Sequence, residues 1–202
     1  MNLVNEADSF RQSLGSLPAL GQLAFMLACG ERMVPNYSAF CTEQEWGSDT
    51  ALRQALEIGW SVVAGNLVAR SRVQECLHNC DAAAPDTEDF RSELVSAALD
   101  AANACALVLE AVLEPSIERA IEVATLACDT VFMFAKGAQR ATVGSSSLEH
   151  RTADHPLVQQ ELQREKEDLA VLNELDWSVP RTAPELAIFR NANTGSLKIP
   201  HV

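Results

Sequence analysis

The sequence predicts an all-α protein, a single-domain multi-helix bundle of about six to eight helices. Three observations carry that expectation. Hydrophobic residues make up 48% of the chain and aromatics only 5%, so the core is aliphatic and rich in alanine, a composition that favours helix over sheet. Apolar residues recur at helical spacing along most of the chain. No segment shows the period-two alternation of a strand above background. A length of 202 residues is enough to bury one sizeable core.

The elements follow in order. Residues 5–14 read as a short amphipathic helix that Gly15 ends. Pro18 suits the first turn of a second helix, which carries Leu20, Leu23, Phe25, Met26, Leu27 and Met33. Pro35 ends or kinks it, because proline lacks the N–H that the helical ladder needs there. A short helix follows over 36–46. Ser48 or Asp49 then caps a longer one, with Leu52, Leu56, Trp60, Val63 and Leu67 at helical spacing. Residues 81–87 form a loop, since Pro85 biases its predecessor away from helix, and Thr87 caps the next element.

Two long helices, 88–113 and 115–136, form the predicted centre. At about 100° per residue the polar side chains of each fall into one narrow stripe. The first stripe holds Glu93, Ser96, Asp100, Asn103 and Glu110; the second holds Glu118, Glu122, Thr125, Asp129 and Lys136. The rest of both helices is apolar, so each is buried on most of its circumference and other helices must flank the pair. Residues 137–153 read as a loop, with Gly144 and a run of serines. Pro156 starts an amphipathic helix to 176, with Leu157, Leu162, Leu169, Leu172 and Leu175 on its apolar side and Glu161, Glu165 and Asp168 on its wet side. Pro180, Pro184, Gly195 and Pro200 preclude a long helix beyond Trp177. The expected organisation is an all-helical domain over 1–176 and a tail over 177–202. Leu186, Ile188 and Phe189 dock that tail on the domain or on a second copy.

The charge is unevenly spread. Residues 75–129 hold twelve carboxylates and two arginines, and so −10 of the chain's net −13. A chain this acidic opposes the phosphate neutralisation that drives nucleic-acid binding. It equally opposes docking on an anionic membrane. The apolar run 94–113 is long enough to span a bilayer, but Asp100, Asn103 and Glu110 interrupt it. A mid-bilayer Asp costs about 2.5–3.5 kcal/mol on insertion scales, so the run is read as a buried helix of a soluble protein. The first ten residues lack the basic and apolar regions of a secretory signal, which predicts a cytoplasmic protein. In that compartment the six cysteines are reduced core thiols.

Few residue patterns carry chemistry. The densest cluster is 31–37, where Glu31 offers a base, Arg32 an anion clamp, Asn36 an amide and Tyr37 a donor. A proline-kinked junction that satisfies its own polar groups explains the same residues without function. Glu75 and His78 form one E-x-x-H, the half-site of a di-iron bundle, but no second E-x-x-H exists. Cys76 and Cys80 are i,i+4 and lack a second pair at zinc spacing. Asp81, Asp86, Glu88 and Asp89 suit a helix N-terminus by the dipole alone. Glu165 and Asp168 form an E-x-x-D without the paired E-x-x-E of a nucleotide pyrophosphatase, which leaves a solvated charged face. There is no G-x-S-x-G, no phosphate loop, no H-E-x-x-H and no dinucleotide fingerprint. The expectation is therefore no metal site and no cofactor. The candidate binding residues are Glu31, Arg32, Asn36, Tyr37, Asp100, Asn103, Glu122 and Asp129.

Several strings resemble a known family. QLAFMLACGERMVPNYSAFC (residues 22–41), PDTEDF (85–90), ALDAANA (98–104) and DHPLVQQELQREKEDLAVL (154–172) are similar to the bacterial YjaG-like family, the domain of unknown function 416. ERMVPNY and HPLVQQEL are the most unusual of these strings, and the resemblance runs over roughly residues 3–176. It implies a compact, all-helical, cytoplasmic protein of bacteria, and it implies no activity and no catalytic residues. Two functions fit the sequence. The first is a non-enzymatic binding or adaptor protein, as a homodimer or with an unidentified protein or small-molecule partner, using a helix face or the tail. The second is a small-molecule or metal-dependent enzyme that uses carboxylates of the acidic helices. The absence of a nucleophile motif or a complete metal set favours the first.

Overall fold

The computed structural model describes residues 3–140, 152–190 and 195–199, with side chains from residue 8 to 138 in the first of these stretches. The described residues form eight helices: α1 (Leu3–Ser16), α2 (Ala19–Gln44), α3 (Thr50–Val63), α4 (Arg70–Ala83), α5 (Val95–Leu113), α6 (Ile117–Arg140), α7 (Pro156–Glu174) and α8 (Ala183–Arg190). There is no strand among them. The fold is all-α.

Alanine decides which helix lies in the middle. α5 buries Ala97, Ala98, Ala101, Ala102, Ala104 and Ala111, and side chains this small let neighbouring helices approach closely. α2, α3, α4 and α6 all pack against it. It is the one described helix long and apolar enough to cross a membrane, and its apolar surface is spent here on those four neighbours. α7 covers the seam of α2 and α6, and α8 caps the end of α3.

The structure corrects several of these expectations. α2 does not stop at Pro35 but runs on to Gln44. The proline removes one ladder bond, and the segment 195–196 docks beside the defect: the Ser196 N–H donates to the Arg32 carbonyl at 2.8 Å, and Gly195 lies against Pro35. α3 ends at Val63 and does not reach Leu67, because the chain turns at Gly65 in the left-handed region (φ 84°) against Pro180. Leu67 is left fully exposed, and a separate helix, α4, follows.

α5 begins at Val95 rather than at 88. Asp86 and Ser92 accept from the Glu88 and Leu94 N–H groups in local turns. That path delivers Phe90 to the rings of Phe40 and Trp46, at 5.1 and 5.2 Å between centroids. α6 continues through Gly137 to Arg140, and residues 141–151 of the expected loop lie outside the described residues.

The last correction concerns α7. Its buried residues are Val158, Glu161, Glu165, Leu169 and Leu172, so two carboxylates expected on the wet side point into the protein. Asp168 is half-buried beside them. Leu172 lies within about 20° of Glu161 around the helix and Glu165 within about 40°, so these acids share an arc with the core leucines.

Candidate functional site

The buried carboxylates converge on one arginine. Arg32 is 7% exposed on an otherwise apolar stretch of α2. A buried guanidinium is tolerated only when its charge and its donors are matched. Its Nε donates to Glu161 Oε1 at 2.8 Å, its Nη1 to Asp168 Oδ2 at 2.6 Å and its Nη2 to Cys29 Sγ at 3.5 Å. Arg164, one turn along α7, places Nη1 3.9 Å from Glu161 Oε2, which has no hydrogen-bond partner.

Glu165 completes the cluster from the α6 side, accepting from Cys128 Sγ at 3.4 Å. Burial pushes the Glu165 carboxyl up to about 8, and the neighbouring Glu161 charge adds to the rise. It is therefore largely protonated at neutral pH. Burial also raises Asp168, against the opposing pull of Arg32. Burial pushes both thiols up, Cys29 and Cys128, and nearby Glu165 adds to each shift. Neither is an activated nucleophile.

The other candidates scatter around this centre. Glu31, next to Arg32, faces the opposite way: its Oε1 accepts from Trp60 Nε1 at 2.8 Å, and burial raises its carboxyl. Trp60 is in turn covered by α8, where Phe189 stacks on it at 6.5 Å and Arg190 lies over its ring while pairing with Glu57. Asn36 donates to Ser196 Oγ at 2.8 Å, and its buried Oδ1 lacks a partner. Tyr37 donates to the Ala83 carbonyl at 2.7 Å and so ties α2 to the end of α4. The side chains of Glu31, Arg32, Asn36 and Tyr37 thus have no partner in common and do not share a site.

The acidic stripes face outward. Asn103, Glu122 and Asp129 are exposed. Asp100 is half-buried at the α5–α6 seam, where it accepts from Thr130 Oγ1 at 2.8 Å; burial raises its carboxyl. Further along that seam Arg119 donates to Glu110 at 3.0 Å. The stripes supply contacts between two helices and a wet edge, and they enclose no common pocket.

Glu161, Glu165, Asp168, Cys29 and Cys128 were outside the sequence-based site. One signal pointed to them: a single arginine within an apolar helix requires a buried counter-charge from elsewhere. The i, i+4, i+7 spacing of Glu161, Glu165 and Asp168 puts three acids on one helical face. Among the described residues no group of three or more histidines, cysteines and acids has a geometry that could hold a metal ion.

The surface opens elsewhere. A cleft of about 340 Å³ between α3 and α4 is lined by Gln54, Glu57, Ile58, Leu67, Val68 and Arg72, among others. It continues into a second, of about 220 Å³, that shares Gln54, Ile58 and Arg72 and reaches Glu75, Cys76 and Asn79.

Comparison with known proteins agrees with this architecture. A crystal structure of a DUF416 family protein from Shewanella baltica superposes with a TM-score of 0.82 at 22% identity, covering 94% of this chain and 97% of that one. An uncharacterized protein of Haemophilus influenzae is 26% identical over 174 residues, 85% of this chain and 81% of the relative. The uncharacterized protein YjaG of Salmonella typhimurium is 28% identical over 149 residues, 73% of this chain and 74% of the relative, and that of Escherichia coli is 27% identical over the same length. The family described as "Protein of unknown function (DUF416)" matches residues 9–186. The chain belongs to this family.

Proposed function

We propose that the protein is a non-enzymatic binding protein of the cytoplasm, an adaptor that holds a neutral or basic segment of a partner protein in the α3–α4 cleft. One observation carries the reading: the reactive groups and the accessible surface are in different places. Arg32, Glu161 and Glu165 are 7%, 1% and 4% exposed, so the chemically capable cluster is closed to a substrate. The open cleft offers Ile58, Val68 and the fully exposed Leu67 beside Glu57 and Arg72. Ile58 and Val68 make an apolar floor, and Leu67 stands on the rim with the charged Glu57 and Arg72, an arrangement suited to anchoring a side chain. The net charge of −13 repels polyanions and favours a neutral or basic segment.

The test places a photo-crosslinking p-benzoylphenylalanine at Leu67 and, as a control, at the exposed Met133 on α6. A protein adduct at Leu67 and none at Met133 is the expected result. An adduct of twice the chain's mass identifies the partner as a second copy. No adduct at Leu67 overturns the reading. A thermal-shift screen against divalent cations and nucleotides tests the enzymatic alternative, since a saturating ligand raises the melting temperature. Stabilisation that Glu122→Gln or Asp129→Asn abolishes would replace the binding reading with that one.

A further inference from the structure

Cys76 and Cys80 lie one turn apart on α4, and both thiols turn toward the same atom, the Ala51 carbonyl oxygen of α3, at 3.8 and 3.7 Å. Burial raises both thiols, Cys80 up to about 12, so each is protonated in the free protein and must give up its proton to a metal. Cys80 is fully enclosed, whereas Cys76 lines the smaller α3–α4 cleft. Cys76 is itself only 4% exposed, so the pair is pre-positioned on a helix with the cleft wall as its one approach.

Two chemistries are available to adjacent thiols. A disulfide needs Cβ atoms about 3.5–4.5 Å apart, while i,i+4 positions of a helix hold them about 5–6 Å apart. Closing that bond would unwind α4. A metal bridging two sulfurs spans more, because each metal–sulfur bond is about 2.3 Å for a zinc-like ion. A tetrahedral zinc site is not supplied, since no third histidine, cysteine or acid among the described residues completes a metal-holding group. What two thiolates alone satisfy is a soft d¹⁰ cation that accepts two-coordination.

We propose that Cys76 and Cys80 form a two-coordinate site for a soft monovalent cation of the Cu(I) class, loaded through the cleft beside Cys76. Thiolate sulfur selects Cu(I) over harder ions. The step balances as two thiols plus Cu(I) giving a dithiolate complex of charge −1 and two protons released to solvent. Arg72, which lines the same cleft and interacts electrostatically with Cys76, faces the new negative charge; Glu75 opposes it.

The test uses the reduced, full-length protein and Cu(I) in competition with the chromogenic chelator bicinchoninate, without oxygen. The wild type withdraws one equivalent of Cu(I). Cys76→Ala and Cys80→Ala each lose that withdrawal, while Cys105→Ala, on the facing helix α5, retains it. Equal withdrawal by all four proteins, no withdrawal by the wild type, or a loss with Cys105→Ala equal to that of Cys76→Ala overturns the proposal. A second measurement does not depend on how well the variants fold. N-ethylmaleimide labels the wild type over the hours in which helices open locally, with and without Cu(I), read by peptide mass spectrometry; Cu(I) slows labelling of Cys76 and Cys80 more than that of the equally buried Cys105. Slowing at Cys76 and Cys80 no greater than at Cys105 overturns the site. Crosslinking at Leu67 is independent of either outcome.

Discussion

Arg32 Nε lies 2.8 Å from Glu161 Oε1. These two residues come from the two most unusual strings in the chain, ERMVPNY and HPLVQQEL, and are 129 positions apart. The pair is the point where α7 is bolted to α2. It sets orientation more than it adds stability, since a buried pair repays little beyond its desolvation. Breaking it is a different matter.

Arg32→Met leaves Glu161 and Asp168 facing each other with only Arg164, 3.9 Å from Glu161 Oε2, to offset them. A loss of about 3–5 kcal/mol is expected, measured by urea unfolding. Replacing the pair together, as Arg32→Met with Glu161→Leu, recovers part of that loss because no uncompensated Glu161 charge remains. A double variant as unstable as the single one would show that Arg32 acts chiefly through Asp168.

Glu165 gives the fold a pH dependence with a definite sign. Its carboxyl sits near 8 in the folded protein against an ordinary value of 4.5. The folded state therefore binds the proton more tightly than the unfolded state does. Its contribution to stability is full at low pH and is lost as pH rises from about 5 to 8. Glu165→Gln keeps the shape and removes the ionisation. Its melting temperature should fall less over that range and exceed the wild type's at pH 8.5. Parallel curves for the two proteins would remove Glu165 as the cause, because Glu31, Asp100 and Asp168 titrate alike in both.

Two glycines should respond in opposite directions. A Cβ at Gly59 would lie 2.6 Å from Leu27 Cδ2 and 3.1 Å from Val108 Cγ1, both on fully buried side chains. Gly59→Ala should destabilise by about 1–3 kcal/mol through overpacking at the α2–α3–α5 contact. Gly137 sits inside α6, and a Cβ there would meet nothing within 4 Å. Gly137→Ala should stabilise by up to about 1 kcal/mol from helix propensity. Differential scanning calorimetry on both variants decides the signs.

The tail is part of the core's cover. Leu186 and Phe189 are 2% and 5% exposed, and Phe189 stacks on Trp60. A chain shortened after Trp177 should lose at least about 2 kcal/mol, since each such apolar side chain is worth roughly 1.5–3 kcal/mol when buried. Its tryptophan emission should shift to the red as Trp60 meets water. Unchanged emission and melting would mean that α8 does not rest on Trp60 in solution.

Local pattern by itself determined the fold class and the central place of α5. Alanine-rich runs with one polar stripe have few ways to be satisfied other than burial among helices, and α5 follows that rule. α6 does not: it leaves Glu118, Glu122, Thr125, Asp129 and Met133 exposed, and α2 shares the centre with α5 in its place. The two polar stripes were legible from the same pattern, but whether they met water or a shared pocket was not, and the tertiary structure turns Asn103, Glu122 and Asp129 outward. Local pattern did not determine where polarity lies inside. Glu161 and Glu165 read as a wet face because a carboxylate in isolation prefers water, and only Arg32, brought from α2 by tertiary packing, reverses that preference. Helix ends were decided the same way. α2 runs on through Pro35 with Ser196 docked on the Arg32 carbonyl beside it, and 88–94 stays out of α5, where Phe90 is held by Phe40 and Trp46. In each case the deciding partner is distant in sequence. Periodicity records a residue's own preference for water, whereas a buried charge or a helix boundary depends on the group that arrives to meet it.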